Sequence, residues 1–244
     1  MVMSFVPPTI TLSVSKNVSR YSLTRIPRAV GHSNSKRRLV MVSGPPLPER
    51  KLGFSFGSFS APIELQVFLD YCCPFSRIAY LKLVDSIIPA FNNQVLFVFQ
   101  NQIQPWHPQS ALMHEASLAV GLIAKEKFFD YSRLLFEHQD EFFDQNCYDK
   151  SRRELYGDLA NLASKIHIPE DKMLNLLHIR GTGNDGNQVQ SLMKFAIKYS
   201  RKLGVHISPT YFVNGIEDTA AGSAWNKEEW LERLRPLLQQ GHTK

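Results

Sequence analysis

Ile63-Glu64-Leu65-Gln66-Val67-Phe68-Leu69-Asp70-Tyr71-Cys72-Cys73-Pro74-Phe75-Ser76 is the stretch from which the rest of the chain is best read. Polar and apolar residues alternate from Ile63 to Val67, and the run then becomes wholly apolar, as a strand does when it enters the interior of a sheet. Pro74 suits the first turn of a helix, where its missing N–H is not needed. Cys73 therefore ends a strand and opens a helix, and a helix N-terminus stabilises a thiolate. Far along the chain, Val205-His206-Ile207-Ser208-Pro209-Thr210-Tyr211-Phe212-Val213-Asn214-Gly215 combines a Ser-Pro-Thr step with an apolar strand that can wall a thiol site from the other side.

Length and composition fit this. The chain has 244 residues, 43% apolar and 20% charged, enough for a sizeable core without disulfides. Three cysteines, Cys72, Cys73 and Cys147, are too few for a secreted disulfide framework. No stretch approaches 18 consecutive apolar residues, so no membrane span is expected. The formal charge of +6 is unevenly placed. Seven of the 28 Lys and Arg lie in residues 1–48, which hold no acid, leaving 21 basic against 22 acidic residues for the remainder. Nucleic-acid binding therefore finds no support in the overall charge. The acid-free tail also carries eight serines. Arg-containing, Ser-rich and acidic-poor describes a plastid or mitochondrial transit peptide, a basic arm on a cytoplasmic protein being the alternative. Residues 49–244 are expected to form the folded domain, entered through the Pro-rich Gly44 to Pro48.

Leu52 to Phe59 can give a short edge strand. After Pro74 a helix is expected through Ile78, Leu81 and Val84 towards Pro89, and Val95 to Phe99 reads as a second buried strand. From Gln109 to about Leu177 the pattern is helical, with an aromatic segment around Phe128 to Phe136. Val189 to Leu203 is a further helix ending at Gly204. Strand character returns at Thr210 to Val213, with a short partner expected at Thr219 to Gly222, and Trp225 to Leu238 closes the chain as a helix. The order implies an α/β, thioredoxin-like fold: a helical subdomain, residues 105–186, is inserted between a β-α-β N-terminal half and a β-β-α C-terminal half.

The chain resembles the DsbA-like branch of the thioredoxin superfamily over most of residues 60–240. The residues that carry the likeness are Phe68 to Phe75, then Trp106-His107-Pro108-Gln109 leading into His114-Glu115-Ala116, and finally Ser208 to Gly215. The resemblance implies a cis peptide bond between Ser208 and Pro209, facing the active-site sulfur. Ser76 departs from the pattern, because oxidising members carry cysteine there. Kappa-class glutathione transferases are related and share the helical insertion.

These residues imply a nucleophile, Cys73, with Phe75 and Ser76 amides as candidate donors to its sulfur and the Ser76 hydroxyl as a further one. Ser76 cannot attack a disulfide, so release of a mixed disulfide on Cys73 needs an external thiol such as glutathione, or another cysteine. Cys72 is the nearest candidate resolving thiol, although a ring closed by adjacent cysteines is tiny and strained. Pro74, Phe75, Trp106, His107, Ser208 and Pro209 are the expected lining of a groove for a thiol or disulfide substrate, protein or small molecule. Asp70 is placed to cap the active-site turn. Cys147 reads as an ordinary cysteine of the insertion. No metal is expected, since Cys72, Cys73, His107 and His114 lack structural-zinc spacing. No bound cofactor is expected, with glutathione as a co-substrate. Gly181-Thr182-Gly183-Asn184-Asp185-Gly186 satisfies Gly-x-Gly-x-x-Gly, but it follows a helical segment rather than a strand and reads as a loop. Three functions remain open at this level. They are a single-cysteine thiol–disulfide oxidoreductase, a kappa-like glutathione transferase or isomerase working through Ser76, and a non-catalytic binder of extended peptides.

Overall fold

A computed structural model describes residues 52–181 and 183–239. The basic leader expected over residues 1–48 lies outside the described residues. The elements are β1 (Phe54–Phe56), β2 (Ile63–Leu69), α1 (Pro74–Lys82), β3 (Val95–Asn101), α2 (Ser110–Ile123), α3 (Phe128–Glu137), α4 (Asp144–Cys147), α5 (Arg152–Ser164), α6 (Glu170–Leu177), α7 (Gln190–Lys202), β4 (Thr210–Val213), β5 (Ile216–Glu217) and α8 (Lys227–Gln239). The strands form one sheet in the order β1-β3-β2-β4-β5. β2 and β3 are parallel, and β1 and β4 run antiparallel to their neighbours. The fold class is the one the sequence implies, a mixed α/β sheet with helices α2 to α6 between β3 and the C-terminal half.

The alternation along β2 sorts the core into two layers. Ile63, Leu65, Val67 and Leu69 point into the main core, with Phe97 and Phe99 of β3 beside Leu65 and Val67. Tyr80 of α1, Phe128 and Phe136 of α3 and Trp230 of α8 cover that face. On the opposite face Phe68 and Phe212 pack together at 5.4 Å between ring centres, with Tyr199 of α7 against them. Burial of these large side chains is the main drive to fold, at roughly 25 cal/mol per Å² of apolar surface removed from water.

Two local expectations are corrected. The helix expected through Ile78, Leu81 and Val84 towards Pro89 is α-helical only as far as Lys82. It buries Ser76, Ala79 and Tyr80, and Ile78 is exposed. Tyr80 decides the face, because its ring packs on Phe97, Phe99 and Phe136. Beyond Lys82 the chain continues as a π turn over Leu83–Ile87 and a 3-10 turn over Ile88–Phe91. The partner of β4 is not Thr219 to Gly222 but β5, immediately after a two-residue Asn214-Gly215 loop. Both loop residues have positive φ, 48° and 86°, the geometry of a tight hairpin turn whose twist matches the strands.

Within the insertion, Ser151 and Glu154 form a reciprocal capping box at the start of α5, worth on the order of 1 kcal/mol. The buried carboxylate of Glu115 on α2 is held by Arg152 and by the Tyr156 hydroxyl of α5. One residue earlier, His114 is fully buried, its Nδ1 lying 2.7 Å from Asn101 Oδ1 at the end of β3. Burial lowers its pKa from 6.5 to about 3. The native imidazole thus stays neutral while the unfolded chain takes up a proton, so stability is lost as pH falls below about 6.5 towards 3, at up to about 1.4 kcal/mol per pH unit. Urea unfolding of His114→Gln across this interval is expected to show a shallower acid slope than the parent. Parallel slopes would contradict the assignment.

Candidate thiol site

Three segments that are distant in sequence meet at one end of the sheet. Strand β2 delivers Asp70 to Cys73, the chain after β3 delivers Gln102 to Ser110, and the approach to β4 delivers Ser208 and Pro209. The register produces the meeting: Leu69 lies opposite Asn101 in the parallel pair and Phe68 opposite Thr210 in the antiparallel pair. Gln102 N donates to the Leu69 carbonyl at 3.0 Å and extends the pairing beyond the strands. This is the carboxyl end of the parallel strands, where open α/β sheets place their sites.

Cys73 is the N-cap of α1, with φ −82° and ψ 118°, and Pro74 occupies the first turn as expected. Its sulfhydryl donates to the Ser208 carbonyl at 3.3 Å. The Ser208–Pro209 peptide is cis. The donors expected from Phe75 and Ser76 to the sulfur are not engaged, since Cys73 makes no side-chain capping bond. Facing a carbonyl oxygen suits a thiol and opposes a thiolate. Ser76 is fully buried, and its hydroxyl accepts the Asp70 amide at 3.2 Å. It braces the turn from below.

Cys72 points the other way. It is 1% exposed, against 8% for Cys73, and its sulfhydryl faces the Met113 sulfur at 3.4 Å inside the core. Burial pushes the Cys72 thiol well above the ordinary cysteine range. A resolving role for Cys72 finds no support in this placement, because its sulfur lies against Met113 in the core while that of Cys73 faces the Ser208 carbonyl. Cys147 sits in α4, its sulfhydryl 3.8 Å from the Glu141 carbonyl, and is also pushed up by burial. All three cysteines are free.

Of the expected lining, Phe75 and Trp106 are each 60% exposed, large apolar rings left in water beside the thiol turn. Ile207, next to Ser208, is 64% exposed and belongs with them, although a single apolar residue in an irregular segment carries no signal of such a role. His107 makes no hydrogen bond to Cys73 among the described residues. Its charge bears on Asp70 instead, helping to lower that carboxyl.

Asp70 does cap the turn, and does more. Oδ1 accepts from Cys72 N at 2.7 Å and from Ser110 Oγ at 2.9 Å, while Oδ2 accepts from Gln104 N at 2.7 Å. Burial raises its pKa, and the three donors pull in the opposite direction. Gln104 then passes the connection on, its Nε2 lying 3.3 Å from Ser208 Oγ. Gln139, fully buried in the turn after α3, donates both amide hydrogens to the thiol turn: to the Tyr71 carbonyl at 2.6 Å and the Cys73 carbonyl at 3.0 Å. Sequence reasoning missed Gln104, Ser110 and Gln139, because single polar residues in a connection, at a helix start or in a short turn carry no periodic signal. Asp70→Asn sets an amide NH2 against a backbone N–H and is expected to cost about 1–3 kcal/mol. Ser110→Ala removes one bond, at about 1 kcal/mol. Chemical denaturation of both variants measures the order, which equal losses would refute.

No family model matches the sequence. Na(+)/H(+) antiporter NhaA 1 proteins of Mycobacterium sp. strains KMS, JLS and MCS share 26% identity with 160 residues, 65% of this chain, which spans 23% of their length. Among the described residues no helix is long and apolar enough to cross a membrane. The solved structures of similar shape include a candidate protein-disulfide isomerase from Pseudomonas syringae. Its TM-score is 0.62 at 23% identity, over 75% of this chain and 97% of that one. Oxidised BdbD from Bacillus subtilis gives 0.55 at 21%, over 77% and 93%. The thiol-disulfide exchange protein alpha-DsbA2 from Wolbachia pipientis gives 0.54 at 17%, over 77% and 86%. With the strand–cysteine–helix turn and the Ser208–Pro209 wall already in place, these likenesses give the chain the fold of the DsbA-like thiol–disulfide oxidoreductases of the thioredoxin superfamily.

Proposed function

We propose that the protein is a thiol–disulfide oxidoreductase of the reductase or isomerase type, working with Cys73 alone and linked to glutathione. The observation that carries this is the pairing of Cys73 at the start of α1 with the Ser208 carbonyl, while Ser76 stands at the second motif position and Cys72 is turned into the core. The Cys73 thiolate attacks the glutathione sulfur of a mixed disulfide. The old S–S bond breaks, the substrate leaves as its thiolate and takes up a proton, and a Cys73–glutathione disulfide remains. A second glutathione thiolate attacks that glutathione sulfur, releasing oxidised glutathione and the Cys73 thiolate. The net change reduces one mixed disulfide and oxidises one glutathione to the disulfide, so no second protein thiol is needed. Exposed Phe75, Trp106 and Ile207 offer an apolar rim for a protein-borne disulfide.

Buried Ser76, already accepting the Asp70 amide, fits a brace better than a contact to a glutathione sulfur, which favours this reading over a kappa-like transferase. In a glutathione-coupled assay on a protein–glutathione mixed disulfide, Cys73→Ser of the full chain is expected to fall to the uncatalysed rate. Ser76→Cys is expected to add dithiol oxidation of a reduced substrate. Turnover retained by Cys73→Ser sinks the proposal, and undiminished conjugation of a chromogenic electrophile by that variant supports the transferase instead.

The composition of residues 1–48 supports a plastid or mitochondrial address. A fluorescent reporter carrying these residues is expected in one of those organelles, and a diffuse signal rejects the address.

A further inference from the structure

We infer that Gln139 is a positioning residue for Cys73, clamping the thiol turn to the helical insertion and so setting the reactivity of the sulfur. The inference rests on Cys73 being the reactive thiol. Gln139 directs both amide hydrogens to carbonyls that flank Cys72 and Cys73, those of Tyr71 and Cys73. The Cys73 carbonyl accepts at the same time from Arg77 N at 3.2 Å, the first hydrogen bond of α1. One side chain from the insertion thus holds the peptide group that starts the helix whose N-terminus faces the sulfur. The Gln139 Oε1 has no partner among the described residues, although the residue is fully buried. A buried acceptor without a partner is unfavourable. A glutamine kept purely for packing gains nothing from that atom, whereas a clamp on two carbonyls needs the amide nitrogen and carries the oxygen with it.

Without these two bonds the Tyr71 carbonyl loses this donor and the Cys73 carbonyl is held by Arg77 N without the insertion. The start of α1 that Cys73 caps is then held less firmly, and with it the helix N-terminus that favours a thiolate. The effect is local to Cys73. Cys147, whose sulfur faces the Glu141 carbonyl in the turn that Gln139 opens, reports any loosening of that turn itself.

The test is mass-spectrometric mapping of iodoacetamide alkylation at Cys73 and Cys147 across pH in the full chain, with circular dichroism as the check on folding. Gln139→Leu and Gln139→Glu are expected to slow Cys73 about tenfold at neutral pH, the scale of losing a buried hydrogen bond, and to leave Cys147 within twofold. As pH falls, the carboxyl introduced by Gln139→Glu takes up a proton and again offers a donor, which Gln139→Leu lacks at every pH. The Cys73 rate of Gln139→Glu is therefore expected to rise relative to that of Gln139→Leu. Unchanged Cys73 rates in both variants overturn the inference. Equal changes at Cys73 and Cys147 also overturn it, since they mark general loosening. Should Gln139→Leu fail to fold, the pH dependence of the Gln139→Glu to parent ratio decides. A parent chain in which Cys73 reacts no faster than Cys147 refutes instead the function proposed for the site.

Discussion

Asp70 accepts hydrogen bonds from Cys72 N, Gln104 N and Ser110 Oγ, three groups that the chain keeps apart and the sheet brings together. A buried carboxylate is costly unless its oxygens are met by donors, and here they come from the thiol turn, the connection after β3 and the start of α2. Burial and hydrogen bonding push its proton affinity in opposite directions, with burial ahead. The loops are therefore mutually dependent. If the segment after β3 moves, Gln104 and Ser110 leave together, the carboxylate is stranded, and the amide of Cys72 loses its acceptor. The thiol turn, the Ser208 wall reached through Gln104 Nε2, and the entry to the insertion form one cooperative unit.

Much of this is legible in the sequence where a physical rule acts on neighbours. The alternation from Ile63 to Val67, the proline after Cys73 and the Ser-Pro-Thr before the last long strand locate the sheet, the helix start and the opposite wall. The Asn214-Gly215 hairpin is also legible in principle, since that dipeptide is the strongest short-range hairpin signal, but strand character at Thr219 to Gly222 points too far downstream for the partner. The face of α1 is not legible. Whether Tyr80 or the Ile78 side turns inward depends on Phe97, Phe99 and Phe136, which are brought there by the rest of the fold. Gln104, Ser110 and Gln139 act entirely through tertiary contacts, and nothing in their local sequence distinguishes them from surface polar residues.

The two adjacent cysteines show how little the type of residue settles. Both lie in the turn between β2 and α1, yet that turn sends Cys72 to Met113 and Cys73 to the Ser208 carbonyl. Burial suppresses ionisation of the first, and its sulfur is shielded in the core. The second lies where backbone amides, a carbonyl and exposed aromatic rings adjoin. Chemistry at this turn thus follows from the way the chain bends between Asp70 and Cys73, where Cys73 N donates to the Asp70 carbonyl at 3.1 Å.

The insertion grips the thiol turn at two kinds of contact, and their magnitudes differ. Arg77 of α1 pairs with Asp140 at 3.1 Å, but the two side chains are 34% and 68% exposed, and exposed pairs contribute little, about 0–1 kcal/mol. Gln139, the preceding residue, is fully buried and holds two backbone carbonyls. Its loss removes a donor from the Tyr71 carbonyl, at about 1–3 kcal/mol, and leaves the Cys73 carbonyl to Arg77 N. Coupling between insertion and turn therefore runs mainly through the uncharged amide rather than the visible ion pair. It follows that the link is insensitive to salt, which screens the pair and not the amide. Ionic strength alone then leaves the turn in place, while any movement of the segment after α3 displaces the backbone of Cys73 itself.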